Sequence, residues 1–426
     1  MIINYSIGSN IGRIKEKKNA KLLLSFGIFL NVSALGYYKY FDFFISNVNG
    51  LIHTDFPLLD IALPLGISFF TFQQIAYLVD AYRQDTEKYK FWKYALFVTF
   101  FPHLIAGPLV HHKDVMPQFS MKTKRINVEN IAKGFIIFTI GLFKKAVIAD
   151  TLAIWASAGF NAPDQLTFLE AWIASLSYTF QLYFDFSGYS DMAIGAALFF
   201  NIKLPINFNS PYKAVNIQDF WKRWHMTLTR FLTYYLYIPL GGNRKGTART
   251  YVNIFIIFIV SGLWHGAGWT FVFWGGLHGV ASIVNRLWQQ LGFRMNKFLG
   301  WLITFLFVNS TWVFFRAKTW DDAIRMLTTM SGVNGFVLPD YVSRWMQSND
   351  VVFTSDFHLV TMTNIPLEWM AFGLVIAFIV VLFFRNSIQL GEMFVPSWKW
   401  AVYVSLLFLL SIFSMSKVSE FLYFNF

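Results

Sequence analysis

Ile254-Phe255-Ile256-Ile257-Phe258-Ile259-Val260-Ser261-Gly262-Leu263-Trp264-His265-Gly266-Ala267 is a run of membrane-interior composition that ends on an imidazole. Apolar residues continue on both sides, over 250–265 and 267–288. Segments of that kind, long enough to cross ~30 Å of hydrocarbon, are helices, because a helix satisfies its own backbone polar groups there. An ionisable side chain at such depth is costly, so it is a functional candidate by default. His225 stands in a second such context, Phe220-Trp221-Lys222-Arg223-Trp224-His225-Met226.

Working outward, the 426 residues are 56% apolar, 20% aromatic and 14% charged. Soluble domains carry about 25% charged residues, so this is a membrane composition. Further apolar segments recur at 22–40, 61–80, 92–110, 131–156, 168–200, 298–315, 368–385 and 398–415. They predict an all-α polytopic membrane protein; a membrane barrel would show short alternating segments instead. The net charge of +12 lies in loops: Arg13, Lys15, Lys17, Lys18 and Lys21, then Arg83, Lys88, Lys90 and Lys93, then Lys122, Lys124 and Arg125. Basic loops follow the positive-inside bias and attract lipid headgroups, so membrane lipids and not nucleic acid are the expected partner. The third cluster follows one span after the second, so 92–110 reads as re-entrant or tilted. The absence of cysteine excludes disulfides, thiolate metal sites and a cysteine acyl-enzyme. The first residues lack a signal peptide's layout.

No repeat or soluble insertion divides the chain, and 1–426 reads as a single membrane domain. Two polar stretches interrupt it. In 201–249, Asn216-Ile217-Gln218-Asp219 resembles a helix start. The helix after it carries a basic face (Lys222, Arg223, Arg230) and an aromatic one (Phe220, Trp221, Trp224, Phe231), which suits the membrane interface. Pro239–Asn243 forces a turn. In 316–366, a helical phrase Trp320–Thr329 and a turn at Ser331–Gly335 read as a polar loop on the opposite face.

His265 has two readings. Gly262 and Gly266 form a small-xxx-small pair, so the histidine could simply bond a neighbouring helix. The functional reading is a general base, worth a factor of about 10² to 10⁴ in rate. His225 is either an interfacial side chain or a second polar group that orients an acyl carbonyl or the acceptor. Lys222, Arg223 and Arg230 are either snorkelling anchors or contacts for the phosphates of an activated donor. On one continuous helix His278 falls about 220° from His265, which disfavours a shared metal and leaves a structural role. Asp185 and Asp191 share helix faces with Gln181 and Ser187, and either tie helices together or line an acceptor's route. Adjacent His111 and His112, with His103, make a poor ligand set. No metal is expected, and phosphate-loop, dinucleotide and serine-hydrolase motifs are absent.

The ordered series Leu63–Gln73, Phe101-Pro102 with Ala106-Gly107-Pro108, Tyr183–Asp191, Asn216–Thr229, Tyr237–Arg244, Gly262–Phe273 and Val313–Ala317 resembles the bacterial membrane-bound O-acyltransferases. It is most similar to the branch that O-acetylates alginate, peptidoglycan or other exported polysaccharides such as cellulose. The branch that exports D-alanine to teichoic acid is a more distant likeness and the alternative. The resemblance implies a ring of about ten transmembrane or tilted helices around a thinned centre with a funnel, in a bacterial inner (cytoplasmic) membrane. It implies that His265 is the essential catalytic residue and His225 the second, with Trp264, Trp269, Asp185 and Asp191 along the substrate path. It implies no bound cofactor, acetyl-CoA or another acyl thioester as donor co-substrate, and an outward transfer to a separate extracytoplasmic transferase that modifies the polysaccharide acceptor. Two departures stand out. Relatives begin with one or two further apolar helices, whereas this chain opens on a polar loop, Ser6–Lys21, as a shortened form or displaced start would. Thr233-Tyr234 replaces an Arg-Asp pair frequent in relatives. Competing classes are a transporter or flippase for an undecaprenyl-linked sugar, for which matched broken helices are missing, and a lipid-modifying acyltransferase.

Overall fold

Apolar side chains at helical spacing fix the first elements of the computed structural model. It describes residues 1–85, 89–104, 107–119, 126–333, 335–340, 352–354, 356–415 and 422. Lys88, Ala106, Lys122, Lys124, Arg125 and the 341–351 part of the second polar stretch lie outside the described residues.

The opening expected as a loop is α1 (Ile2–Ile11), which buries Asn4, Ile7, Gly8 and Ile11 on one face. Asn4 and Asn31 exchange amide hydrogen bonds of 3.1 and 2.7 Å, which tie α1 to α2 and explain why a polar sequence folds there. A 36-residue helix follows, Lys17–Ile52. In it, α2 (Lys17–Leu35) passes through a π-helical turn, Gly36–Tyr40, into α3 (Phe41–Ile52). α4 (Ile67–Tyr82) starts later than the apolar run does, because Gly66 adopts φ 69° and breaks the helix there.

The segment 92–110 does not form one helix. α5 (Phe91–Thr99) stops at an extended Phe100, and the single turn α6 (Phe101–Leu104) has Pro102 in its first turn. An extended His111 leads into α7 (His112–Val115).

α8 (Val128–Phe143) runs through a second π turn, Lys144–Ala149, into α9 (Asp150–Asn161), and both pack on the 32-residue α10 (Phe168–Phe199). Glycine makes that contact possible: a Cβ on Gly141 would sit 2.5 Å from the Gly188 carbonyl oxygen, and one on Gly188 would sit 2.7 Å from that of Gly141. Close approach matters because the pair also encloses ion pairs. Lys144 meets Asp191 at 2.6 Å and Ser187 at 3.4 Å, while Lys145 meets Asp185 at 2.8 Å and Asp150 at 2.7 Å.

After Asn216, whose side chain accepts from the Asp219 amide as expected, α11 (Ile217–Trp221) and α12 (Met226–Leu232) replace the single expected helix. The break falls at His225, held in the left-handed region at φ 43°. The aromatic face meets protein: Phe220 and Trp224 are fully buried, and Trp221 and Phe231 nearly so. A third π turn, Thr233–Tyr237, and the turn around Gly241 and Gly242 lead to the antiparallel pair α13 (Thr247–His265) and α14 (Trp269–Gln290). α15 (Lys297–Arg316) and α16 (Trp320–Met330) follow. Two three-residue parallel strands, β1 (Val337–Pro339) and β2 (Val352–Thr354), precede α17 (His358–Thr363), α18 (Leu367–Phe383), α19 (Ser387–Glu392) and α20 (Trp398–Ser414). Among the described residues, Lys17–Ile52, Thr247–His265 and Lys297–Arg316 are long and apolar enough to cross a membrane. α18 shows how such a helix divides: Met370, Leu374, Ala377 and Val381 face the protein, while Trp369, Phe372 and Val375 stay exposed for hydrocarbon.

Candidate active site

The two histidines that stood out in the sequence meet. His265 is the last residue of α13, and the extended Gly266 after it ends the helix. His225 is turned inward by its own left-handed backbone, a conformation that costs a non-glycine residue ~1–2 kcal/mol and needs support from its surroundings. Their ring centroids lie 6.3 Å apart, and both side chains are buried. Trp264 adjoins both rings, at 4.9 Å from His265 and 5.9 Å from His225. Trp274 at 5.3 Å and Phe315 at 5.1 Å close the box around His265, and Phe186 of α10 lies 4.8 Å from His225.

The hydrogen bonds fix the tautomer of His225. Asn207 Oδ1 lies 3.4 Å from the Thr227 backbone N–H, which can only donate, so this atom is the amide oxygen. The Thr227 hydroxyl accepts from the Leu109 N–H at 3.0 Å and gives its own proton to Asn207 Oδ1 at 2.9 Å. His225 Nδ1, 3.1 Å from the same oxygen, must therefore be its N–H. Nε2 then carries the lone pair and meets no hydrogen-bond partner among the described residues. The indole N–H groups of Trp264 and Trp274 are likewise buried without an acceptor among the described residues. From the far side, Lys39 of the first π turn reaches the backbone carbonyls of Trp264 and His265 at 2.6 and 3.2 Å.

A buried pair of imidazoles, one with a defined free lone pair, beside uncommitted N–H donors is machinery for moving a proton and stabilising an oxyanion. The family model of the membrane-bound O-acyltransferases matches residues 43–319, which contain both histidines with their tryptophan and asparagine neighbours, though not Lys39. The chain belongs to that family. It is thus an acyltransferase with the membrane character read from its composition. The chain is 46% identical to a peptidoglycan O-acetyltransferase of Helicobacter pylori, over all of this chain and 86% of that protein. It is 43% identical to a probable alginate O-acetylase of Pseudomonas aeruginosa, over 77% of this chain and 64% of that protein. Against a teichoic acid D-alanyltransferase of Bacillus subtilis the identity falls to 27%, over 56% of the chain.

Other residues singled out in this acyltransferase fare differently. Lys222 and Arg230 line one cleft of about 310 Å³, with Trp221, Met226, Thr229, Thr233 and Tyr234. Met226 of that lining directly follows His225 in the chain. Arg230 forms a fork to Asp114 at 2.8 and 3.2 Å. Arg223 lies outside the cleft's lining and is taken by Asp219 at 2.8 Å and the Asn209 carbonyl at 3.4 Å. Asp185 and Asp191 point to the α8–α9 lysines, whereas Phe186, one position on, faces His225. The two carboxylates hold α10 in place and do not join the histidines. Trp269 is also apart: the residue is 62% exposed, and its indole donates to Asn47 of α3 at 2.7 Å.

His278 binds its neighbours as a structural histidine does. Thr311 donates to the Val308 carbonyl, so it accepts from His278 Nε2 at 3.0 Å, while Nδ1 accepts from Trp221 at 3.2 Å. Among the described residues, no three His, Asp or Glu side chains gather as a metal would require. Sequence reasoning missed Asn207, Thr227 and Lys39. Lys39 carried a usable signal, a single ammonium inside the apolar run 22–40. Asn207 lay among other polar residues and carried none.

Proposed function

We propose that this protein is an O-acetyltransferase that takes acetyl from acetyl-CoA on the cytoplasmic side of a bacterial inner membrane and delivers it outward for O-acetylation of an exported polysaccharide. The pairing of His225 with His265, 6.3 Å apart and buried, carries the reading. His265 accepts the proton of a hydroxyl acceptor as its oxygen attacks the thioester carbonyl. The C–S bond breaks, and the leaving thiolate takes the proton back from the imidazolium, so nothing is oxidised or reduced. With its Nδ1–H committed to Asn207, His225 presents a lone pair at Nε2, which suits holding the acceptor O–H better than polarising a carbonyl. The indole N–H of Trp264, buried beside His265 with no acceptor among the described residues, would serve the oxyanion. With no cysteine in the chain, acetyl passes directly to the acceptor or rests on oxygen or nitrogen.

Lys222 and Arg230, lining one cleft, would take the donor's phosphates, Arg230 from beside its fork to Asp114, whereas Arg223 lies outside that lining. The relatives' names supply the acceptor class: peptidoglycan for one, alginate for another. The immediate acceptor is a hydroxyl of a glycan or of a partner transferase outside the membrane. Complementing a deletion strain tests this. The wild-type gene should restore O-acetyl groups on the surface polysaccharide, and His265→Ala, at equal membrane abundance, should not. Full acetylation by that variant would remove His265 from the reaction.

A further inference from the structure

We infer that Lys39 is a positioning residue of the acyl-transfer site, holding the end of α13 that carries His265; the inference rests on the reading of His265 as the base. Its ammonium lies 2.6 Å from the Trp264 carbonyl, 3.2 Å from the His265 carbonyl and 3.3 Å from the Ser68 hydroxyl of α4. Those three acceptors match the three protons of an ammonium. No carboxylate pairs with Lys39 among the described residues, so its charge answers to the end of α13.

That helix end needs an outside partner. The last carbonyls of a helix have no acceptor role within it, and they form the negative end of its dipole. Gly266 continues in extended backbone at φ −158°, so the chain does not fold back to cap them. The π turn Gly36–Tyr40 supplies the caps: Tyr40 donates to the Leu263 carbonyl, and Lys39 takes the next two. Inserting an extra residue into a helical turn aims neighbouring side chains at one target, and such turns gather at functional sites. An apolar helix such as Lys17–Ile52 has no packing reason to hold an ammonium at this depth. With its peptide pinned by Lys39 and its ring boxed by Trp274 and Phe315, His265 is held from both sides.

Acyl transfer kinetics of the full-length protein in proteoliposomes, with unfolding temperatures recorded in parallel, test the inference. A 1 Å misplacement of a reacting group costs roughly 10² in rate, so Lys39→Met should lower kcat by about 10- to 100-fold while the KM for acetyl-CoA stays near wild type. Lys39→Arg, which keeps charge and donors, should recover most of kcat. Tyr40→Phe, which removes an uncharged tie to the same helix end, should cost less than Lys39→Met. If Lys39→Met does not fold, Lys39→Gln carries the test, with a kcat between those of wild type and a His265→Ala variant. Wild-type kcat in the Met or Gln variant, or a loss that Arg does not restore, would overturn the inference. An active His265→Ala variant would instead sink the reading of the site itself.

Discussion

Asn207 decides which nitrogen of His225 carries a proton, through a chain that runs from the Leu109 amide by way of the Thr227 hydroxyl. Asn207→Leu should leave the His225 N–H and the Thr227 hydroxyl without their acceptor. The expected cost is about 1–3 kcal/mol of stability from the unpaired groups and roughly 10² in kcat from the released ring. Asn207→Asp, which keeps an acceptor, should retain more activity than Asn207→Leu; equal rates in the two variants would discard the tautomer argument. His225 and His265 were legible in the sequence because an ionisable group in an apolar stretch has few bland explanations. Asp185, Asp191 and Trp269 looked equally eligible. Which way they point depends on a neighbouring helix, on Lys144, Lys145 or Asn47, and that partner is far away in the chain.

At the scale of elements, α10 is held to α8 and α9 by the two lysine–aspartate pairs, with glycine contacts letting the backbones close around them. Removing one partner leaves a buried charge uncompensated, so Lys144→Met should destabilise the protein by about 3–5 kcal/mol. Lys144→Met with Asp191→Leu should recover most of that loss and keep acyl transfer, since neither side chain joins the histidines. Thermal unfolding in detergent checks both; an unshifted midpoint in the single variant would show that the pair contributes nothing. Helix existence was legible from apolar length alone, as in α2, α13, α15, α18 and α20. The π turns, the break at Phe100 and the left-handed His225 were not, because each is imposed by contacts from other elements and disturbs no periodic pattern. α1 was missed because its buried face contains Asn4, a polar residue satisfied only by Asn31 of α2.

For the whole molecule, composition and loop charge placed the chain in a membrane before any fold was known, and the ordered motif series named its family. What the sequence could not show is how residues 107–115 support the site, where the Leu109 N–H donates to the Thr227 hydroxyl. There, burial holds His111 down at about 4, helped by Arg230 and Lys113 against the opposing pull of Asp114. His112 is also held at about 4, by burial and by His111 and Lys113, with Asp80 3.5 Å from its Nδ1. Both are depressed from an ordinary value near 6.5, so between about pH 6.5 and pH 4 the unfolded chain binds protons that the folded one refuses. Stability should therefore be full above that window and fall as the pH drops through it. Replacing both histidines with Gln should flatten the unfolding temperature between pH 7 and pH 5, and an unchanged slope would assign the effect elsewhere.

The central claim, that His265 and His225 together perform the transfer, is most directly tested with purified protein in proteoliposomes, radiolabelled acetyl-CoA and a soluble glycan acceptor. Folded His265→Ala should transfer no label above background, and folded His225→Ala should lose roughly 10² or more in rate. Transfer at the wild-type rate by either variant would contradict the account.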